Sequence, residues 1–249
     1  MSIELNKMVV IIDNYLNITQ INDYCPNGLQ ITGKSDVHTV ISGVTANLDI
    51  IKQAISHKAC ALLVHHGYFW RGENPCITGI KQQRIKLLLE HDISLLAYHL
   101  PLDLHPTVGN NVQLAKRLNL KNCTFLSNNI PVLVGNISEL TEISQLADNL
   151  TTILKRAPQV IAANRKITKI AICTGSGQNY FDDAIRAGAD VFITGEATEH
   201  NFHSANEYQV NFIAAGHHAT ERFGIQALGD YIAEEFAIKH KFIDCDNPF

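Results

Sequence analysis

The chain has 249 residues, long enough for one large α/β domain or two of ordinary size. Apolar residues make up 46% and charged ones 18%, which predicts a substantial core and excludes a disordered chain. A net charge of −4 with no basic block argues against nucleic-acid binding and against an electrostatic membrane contact.

The first helix is predicted from Leu5 to Leu16, followed by the Gly- and Pro-containing segment Tyr24-Cys-Pro-Asn-Gly-Leu-Gln30. The run Met8 to Ile12, flanked by Glu4 and Asp13, is too short for a signal peptide, and no apolar run reaches membrane-spanning length. Ile41 to Thr45 reads as a buried strand, and Leu48 to His57 as an amphipathic helix with Ile51, Ala54 and Ile55 inward. Ala61 to Val64 is the next strand and runs into the doublet His65-His66. A helix from Ile80 to His91, a strand from Ile93 to Tyr98 and a helix beginning at Val112 follow. Residues 119–166 hold a strand at Ile130 to Val134, a helix at Leu140 to Leu154 and a turn at Pro158.

The second half replays the same order. Strands are predicted at Ile170 to Thr174, Val191 to Thr194 and Val210 to Ala215. Helices fall at Tyr180 to Ala187, Thr198 to Glu207 and Ala219 to Phe236. Strands alternating with helices imply βαβ units and a largely parallel or mixed sheet flanked by helices. Aligning the halves puts His65-His66 on Gly195-Glu196, His99 on His217 and Asp103 on Glu221. The expectation is an α/β protein of two similar lobes from an internal duplication, residues 1–120 and 121–249. The first copy carries an insertion at Tyr68 to Gly79, which holds the single Trp.

Imidazoles and carboxylates delivered to strand ends are what a divalent metal site needs, and ligands of parallel sheets bind beyond the carboxyl ends of strands. His65-His66 follows Val64, His99 and Asp103 follow Tyr98, Glu196 follows Thr194, and His217 and Glu221 follow Ala215. Borderline imidazoles with hard carboxylates fit Zn, Fe, Mn, Ni or Co and disfavour Ca. The donors are too many for one tetrahedral ion, and two ions sharing a carboxylate fit better. Neighbouring His65 and His66 point to opposite sides of a regular strand, so a turn at Gly67 would let each serve a different ion; Gly216 permits a similar turn before His217.

Other features carry less. Thr174-Gly-Ser-Gly-Gln178 is a strand-to-helix turn, read either as a plain turn or as amides that hold an anion. Phe69, Trp70 and Arg71 form either a flap that stacks on a planar substrate or the filling of an interface. Cys173 reads as core, and the six cysteines, without CxxC pairing, read as reduced thiols of a cytoplasmic protein. No Ser-His-Asp order, Walker loop or dinucleotide fingerprint is present.

Val64-His-His-Gly-Tyr-Phe-Trp70, His99-Leu-Pro-Leu-Asp103, Thr194-Gly-Glu196 and Ala215-Gly-His-His-Ala-Thr-Glu-Arg222 together resemble the Nif-three-like dinuclear metal-centre family. Its bacterial YbgI-type members are often labelled GTP cyclohydrolase I type 2 homologues. Thr174 to Gln178 and Cys25 to Gln30 match as well, and the likeness runs from about residue 5 to residue 240. The resemblance implies two lobes with pseudo-symmetry, two divalent ions per subunit between them, and a ring-shaped homohexamer. It implies His65, His66, Asp103, His217 and Glu221 as metal ligands, with Glu221 bridging. His99 becomes a neighbour of the ligands, and Glu196 a proton-transfer group beside the ions. A chain of 249 residues leaves no room for the extra middle domain of longer members.

Two functions follow. One is a metal-dependent hydrolase in which metal-activated water attacks a C–N bond of a nucleotide ring, opening a guanine nucleotide and releasing formate, with Glu196 or His99 moving protons. No Lys or Arg cluster for three phosphates is evident, and a phosphoesterase or amidohydrolase would use the same ions. The other is a non-catalytic oligomeric scaffold, sensor or regulator in which metal binding contributes to folding stability.

Overall fold

The computed structural model describes residues 1–127, 130–163 and 165–249. It divides into two compact units, residues 1–108 with 224–246 and residues 109–223 with 247–249. The sequence suggests one cut at residue 120. The units are instead discontinuous, because the chain returns to the first after residue 223.

The first unit is built on a five-stranded sheet in the order Lys239–Phe242, Thr39–Thr45, Ala61–His66, Ser94–Ala97, Gly28–Ile31. The first four strands run parallel and Gly28–Ile31 is antiparallel to its neighbour. The central parallel strands at 61–66 and 94–97 read as apolar runs because helices cover both faces, and Leu62, Leu63, Val64, Leu95 and Leu96 are all buried. Helix Leu5–Tyr15 starts where Glu4 accepts hydrogen bonds from the amides of Asn6 and Lys7, both at 3.0 Å. It buries Leu5, Met8 and Ile12. Helix Leu48–Ser56 is capped by Asn47, which accepts from the Ile50 amide at 2.9 Å, and buries Ile50, Ile51 and Ala54.

The second unit carries a six-stranded sheet in the order Lys121–Ser127, Ile130–Thr141, Ile167–Cys173, Val191–Thr194, Asn211–Ala214, Gln159–Ile161. Only the strands at 167–173, 191–194 and 211–214 are mutually parallel. The others join antiparallel. Helix Ile143–Leu154 opens with a capping box between Glu142 and Gln145 and buries Leu146, Leu150 and Leu154 at helical spacing. Each such leucine contributes roughly 1.5–3 kcal/mol by leaving water.

Helix His217–Phe236 gives Ala219 and Phe223 to the core of the second unit, and Ile225, Leu228 and Ile232 to that of the first. The architecture is therefore mixed α/β, with partly parallel sheets flanked by helices, as the sequence predicts. Among the described residues no helix is long and apolar enough to cross a membrane, and no cysteine forms a disulfide.

Candidate metal centre

In the first unit, register delivers the donors. Val64 pairs with Ala97, so His65-His66 and Tyr98-His99 leave neighbouring strands at one sheet edge. The strand at 61–66 runs through the doublet rather than ending before it. Even so, the rings of His65 and His66 lie 4.7 Å apart, and that of His99 lies 5.0 Å from His65 and 5.8 Å from His66. One donor atom from each of the three lies within 4.8 Å of the others, a group able to hold a metal ion. Asp103, 6% exposed on the short helix Leu100–Asp103, turns a carboxylate oxygen to within 3.5 Å of His65 Nε2.

Every one of these rings is gripped by Nδ1. His65 Nδ1 donates to the Tyr98 carbonyl at 2.8 Å, and His66 Nδ1 meets Thr45 Oγ1 at 3.2 Å. His99 Nδ1 donates to Asp23 at 3.0 Å. Such partners fix the orientation of the rings, and the carbonyl and the carboxylate also fix the tautomers of His65 and His99, an arrangement common behind metal-bound histidine. Burial pushes the Asp23 carboxyl up, but the hydrogen bond and charge of His99, with Asn27 and the Leu100 amide, outweigh it and hold Asp23 well below the usual carboxylate range. Asn27 in turn accepts from the His99 amide at 2.7 Å. Sequence reasoning misses Asp23 and Asn27. They lie far from His99 in the chain, inside a segment notable only for its Gly and Pro. Cys25 groups with Asp23 and His99, but burial and the negative charges of Asp23 and Asp103 push its thiol up to about 12, so it stays neutral.

The insertion loop closes over this cluster. The Arg71 amide donates to the Tyr24 carbonyl at 2.7 Å and its guanidinium to the Asp23 carbonyl at 3.1 Å. Trp70 Nε1 donates to the Gly67 carbonyl at 3.2 Å, which sets the indole 5.1 Å from the His99 ring and 6.0 Å from His66.

In the second unit, Cys173 pairs with Thr194 and Thr194 with Ala214, so Gly175, Glu196 and His217 also emerge along one edge. Gly216 has φ 100°, the left-handed turn that the sequence suggests, and it starts helix His217–Phe236. One helical turn separates His217 from Glu221, and His217 Nε2 lies 3.1 Å from the Glu221 carboxylate. On its other side His217 Nδ1 donates to Glu196 at 2.6 Å. Burial lowers the affinity of His217 for a proton, but Glu221 and then Glu196 outweigh it and raise its pKa to about 9. Glu221 itself is 3% exposed.

The shared His-x-x-x-carboxylate spacing is thus used differently. His217 and Glu221 face each other, whereas His99 turns to Asp23 and Asp103 turns to His65. The turn at Thr174–Gln178 is not an open anion cradle. The amides of Thr174, Gly175 and Gly177 donate to the side chains of Asn111, Thr220 and Thr194. Cys173 is core, as expected.

A Ser-His-Asp chain does exist in space. Ser42 Oγ lies 2.7 Å from His240 Nε2, and His240 Nδ1 lies 2.9 Å from Asp230. Ser42 is wholly buried in the middle of its strand, so no substrate reaches it, and the chain pins strand Lys239–Phe242 in place.

The fold and the site define the chain as a mixed α/β protein whose strand ends carry imidazole and carboxylate groups that could hold metal ions. Within that class the chain belongs to the Duf34/NIF3 (NGG1p interacting factor 3) family, whose model matches residues 3–248. It is 52% identical over 251 residues to a Pseudomonas aeruginosa protein called GTP cyclohydrolase 1 type 2 homolog, covering 100% of both chains. A Haemophilus influenzae protein of the same name is 49% identical, with 99% of each chain covered. Among solved structures, protein ybgI superposes with TM-score 0.96 at 41% identity, covering 99% of this chain and 100% of that one. TTHA1606 from Thermus thermophilus gives 0.90 at 32% identity, covering 99% and 100%.

Proposed function

We propose that the chain is a dinuclear divalent-metal protein acting as a metal-dependent hydrolase. His65, His66 and Asp103 from the first unit, with His217 and Glu221 from the second, would hold two ions, Glu221 bridging them. The observation that carries this reading is the common mode of holding two of the rings. His65 and His217 each give Nδ1–H to a protein acceptor and turn Nε2 toward a carboxylate, Asp103 at 3.5 Å and Glu221 at 3.1 Å, so that imidazole and carboxylate donors converge as the ligands of a cation do. The donor set of imidazoles and carboxylates, with Cys25 neutral, fits Zn, Fe, Mn, Ni or Co.

Two such ions, when bound, bring the pKa of water toward neutrality and polarise the group under attack. The chain's own part is to orient and to move protons. His99, fixed by Asp23, stands beside His65 and His66 as a general acid–base. Trp70 and Tyr24 stand edge-on to His99 and form a wall of the same cluster. The names of the relatives support a guanine nucleotide as substrate, opened at a ring C–N bond with loss of formate.

A second reading, a non-catalytic metal scaffold, is favoured by the Thr174–Gln178 turn, whose committed amides remove one cradle that a triphosphate would use. Elemental analysis of purified protein, followed by GTP with formate as readout, separates the two. Two ions per chain with turnover is the expected result. Two ions without turnover on GTP or on phosphoester and amide substrates establishes the scaffold, and an ion-free protein overturns both readings.

We also propose that the lobes descend from one duplicated unit, that the chain assembles as a ring-shaped homohexamer, and that it works in the cytoplasm. Each unit's three adjacent parallel strands support the first, and cysteines outside any disulfide support the last. Light scattering that returns a monomer mass would remove the ring.

A further inference from the structure

The sequence offers Glu196 as a proton-transfer group, and the turn Thr174–Gln178 has no task in the reaction above, yet both are built around His217. We infer that Glu196 is a positioning residue, which sets the His217 ring by its Nδ1 edge, and that the turn exists to hold Glu196 and to make room for Glu221. The inference rests on His217 and Glu221 being metal ligands, as proposed above.

The geometry divides the two oxygens of Glu196 between separate tasks. Oε1 takes Nδ1–H of His217 at 2.6 Å. Oε2 accepts from Ser176 Oγ at 3.1 Å and from Gln178 Nε2 at 3.4 Å, and Ser176 and Gln178 are themselves joined at 3.1 Å. A carboxylate with 43% of its side chain exposed would otherwise sample several rotamers, and these bonds select one. With Nδ1 occupied, the ring presents Nε2, the atom that faces Glu221. Carboxylate, imidazole and cation in line are a recurring arrangement in which the outer carboxylate raises ligand basicity and fixes orientation.

The backbone of the turn completes the argument. Gly175 has φ 66°, and a Cβ there would collide with the Glu221 carboxylate and crowd His217 Nε2. The three committed amides of the turn make it rigid, so Ser176 and Gln178 stand at fixed places relative to Glu196. Glycine for close approach and Ser and Gln for the clamp account for the Gly-Ser-Gly-Gln sequence without an anion.

The test is zinc affinity, measured by competition with a chromophoric chelator, on the full-length chain and its variants. Metal-free melting curves confirm that each variant folds. E196A is expected to bind zinc about 10–100-fold more weakly. In E196Q the amide oxygen still accepts from Nδ1–H, so affinity should return to within roughly threefold of the parent, a rescue that a merely structural role would not produce. S176A, which loosens the clamp without breaking it, should fall between parent and E196A. Parent-like affinity in E196A overturns the positioning role while leaving the metal centre intact. Loss in E196Q as deep as in E196A also overturns it, because charge rather than orientation would then be what matters. A parent protein that binds no zinc, iron, manganese, nickel or cobalt overturns the metal reading and this inference together.

Discussion

The two units hold their histidines by opposite means. In the first, His65 and His66 are set by a carbonyl and a hydroxyl, and the carboxylate that takes a ring Nδ1–H, Asp23, serves His99. In the second, a single imidazole stands between two carboxylates. A carboxylate on each side of His217 draws a proton onto it, so a cation arriving there would exchange for that proton. In the first cluster His65 has a carbonyl at Nδ1 and one carboxylate, Asp103, 3.5 Å from Nε2. The difference shows that placing a ligand and tuning its charge are separate tasks, which this chain solves with different residues.

The sharpest way to break the contrast is to neutralise Glu221, the buried carboxylate of the second cluster and a proposed metal ligand. Glu221→Gln is expected to lower metal content from two ions per chain to one or none and to weaken the remaining affinity at least tenfold, read by elemental analysis after dialysis. In the first cluster, His65→Ala empties a fully buried site and strands the Tyr98 carbonyl. It should cost about 3 kcal/mol in urea unfolding of metal-free protein.

Asp23→Asn tests the charged grip on His99 in the first cluster and should cost about 2 kcal/mol at neutral pH. Because folding depresses the Asp23 carboxyl, its contribution is present above the unfolded value of about 3.9 and is lost as pH falls through the lower folded value. The gap between parent and variant should hold from pH 7 to 5 and narrow only below about pH 4. A gap that closes near pH 6 would refute the assignment to Asp23.

The smallest effect lies in the second cluster. Folding raises His217 to about 9, so its pairing stabilises metal-free protein fully below the unfolded value of about 6.5 and ceases to do so as pH rises through 9. With partial solvent screening this is about 1 kcal/mol, visible as a parent-minus-His217→Gln difference at pH 6 that vanishes by about pH 10. A difference that grows with pH would mean that the ring is buried neutral.

Much of this is legible in the sequence, and the losses have physical causes. The parallel strands at 61–66, 94–97, 191–194 and 211–214 are buried almost throughout and announce themselves, as do the donors that follow them. The strand Lys121–Ser127 is largely exposed and Lys239–Phe242 alternates Lys and His, so neither shows an apolar period. Gln159–Ile161 is three residues long, and Gly28–Ile31 hides behind Pro26 and Gly28. The ligand-type residues can be found because they sit next to strands. Their orienting partners cannot, since Asp23, Thr45 and the Tyr98 carbonyl reach the rings only through tertiary packing. The Ser42, Asp230 and His240 chain is invisible for the same reason, its members being far apart in the sequence.

Trp70 is the single tryptophan of the chain, and its indole is tethered within a ring's breadth of His99 and His66. All tryptophan emission from this protein therefore originates beside the first histidine cluster. Cobalt or nickel captured there would darken that emission through their open d shells, while zinc, with its filled shell, would leave it bright. A cuvette and a lamp would then tell an open-shell metal from zinc in that cluster.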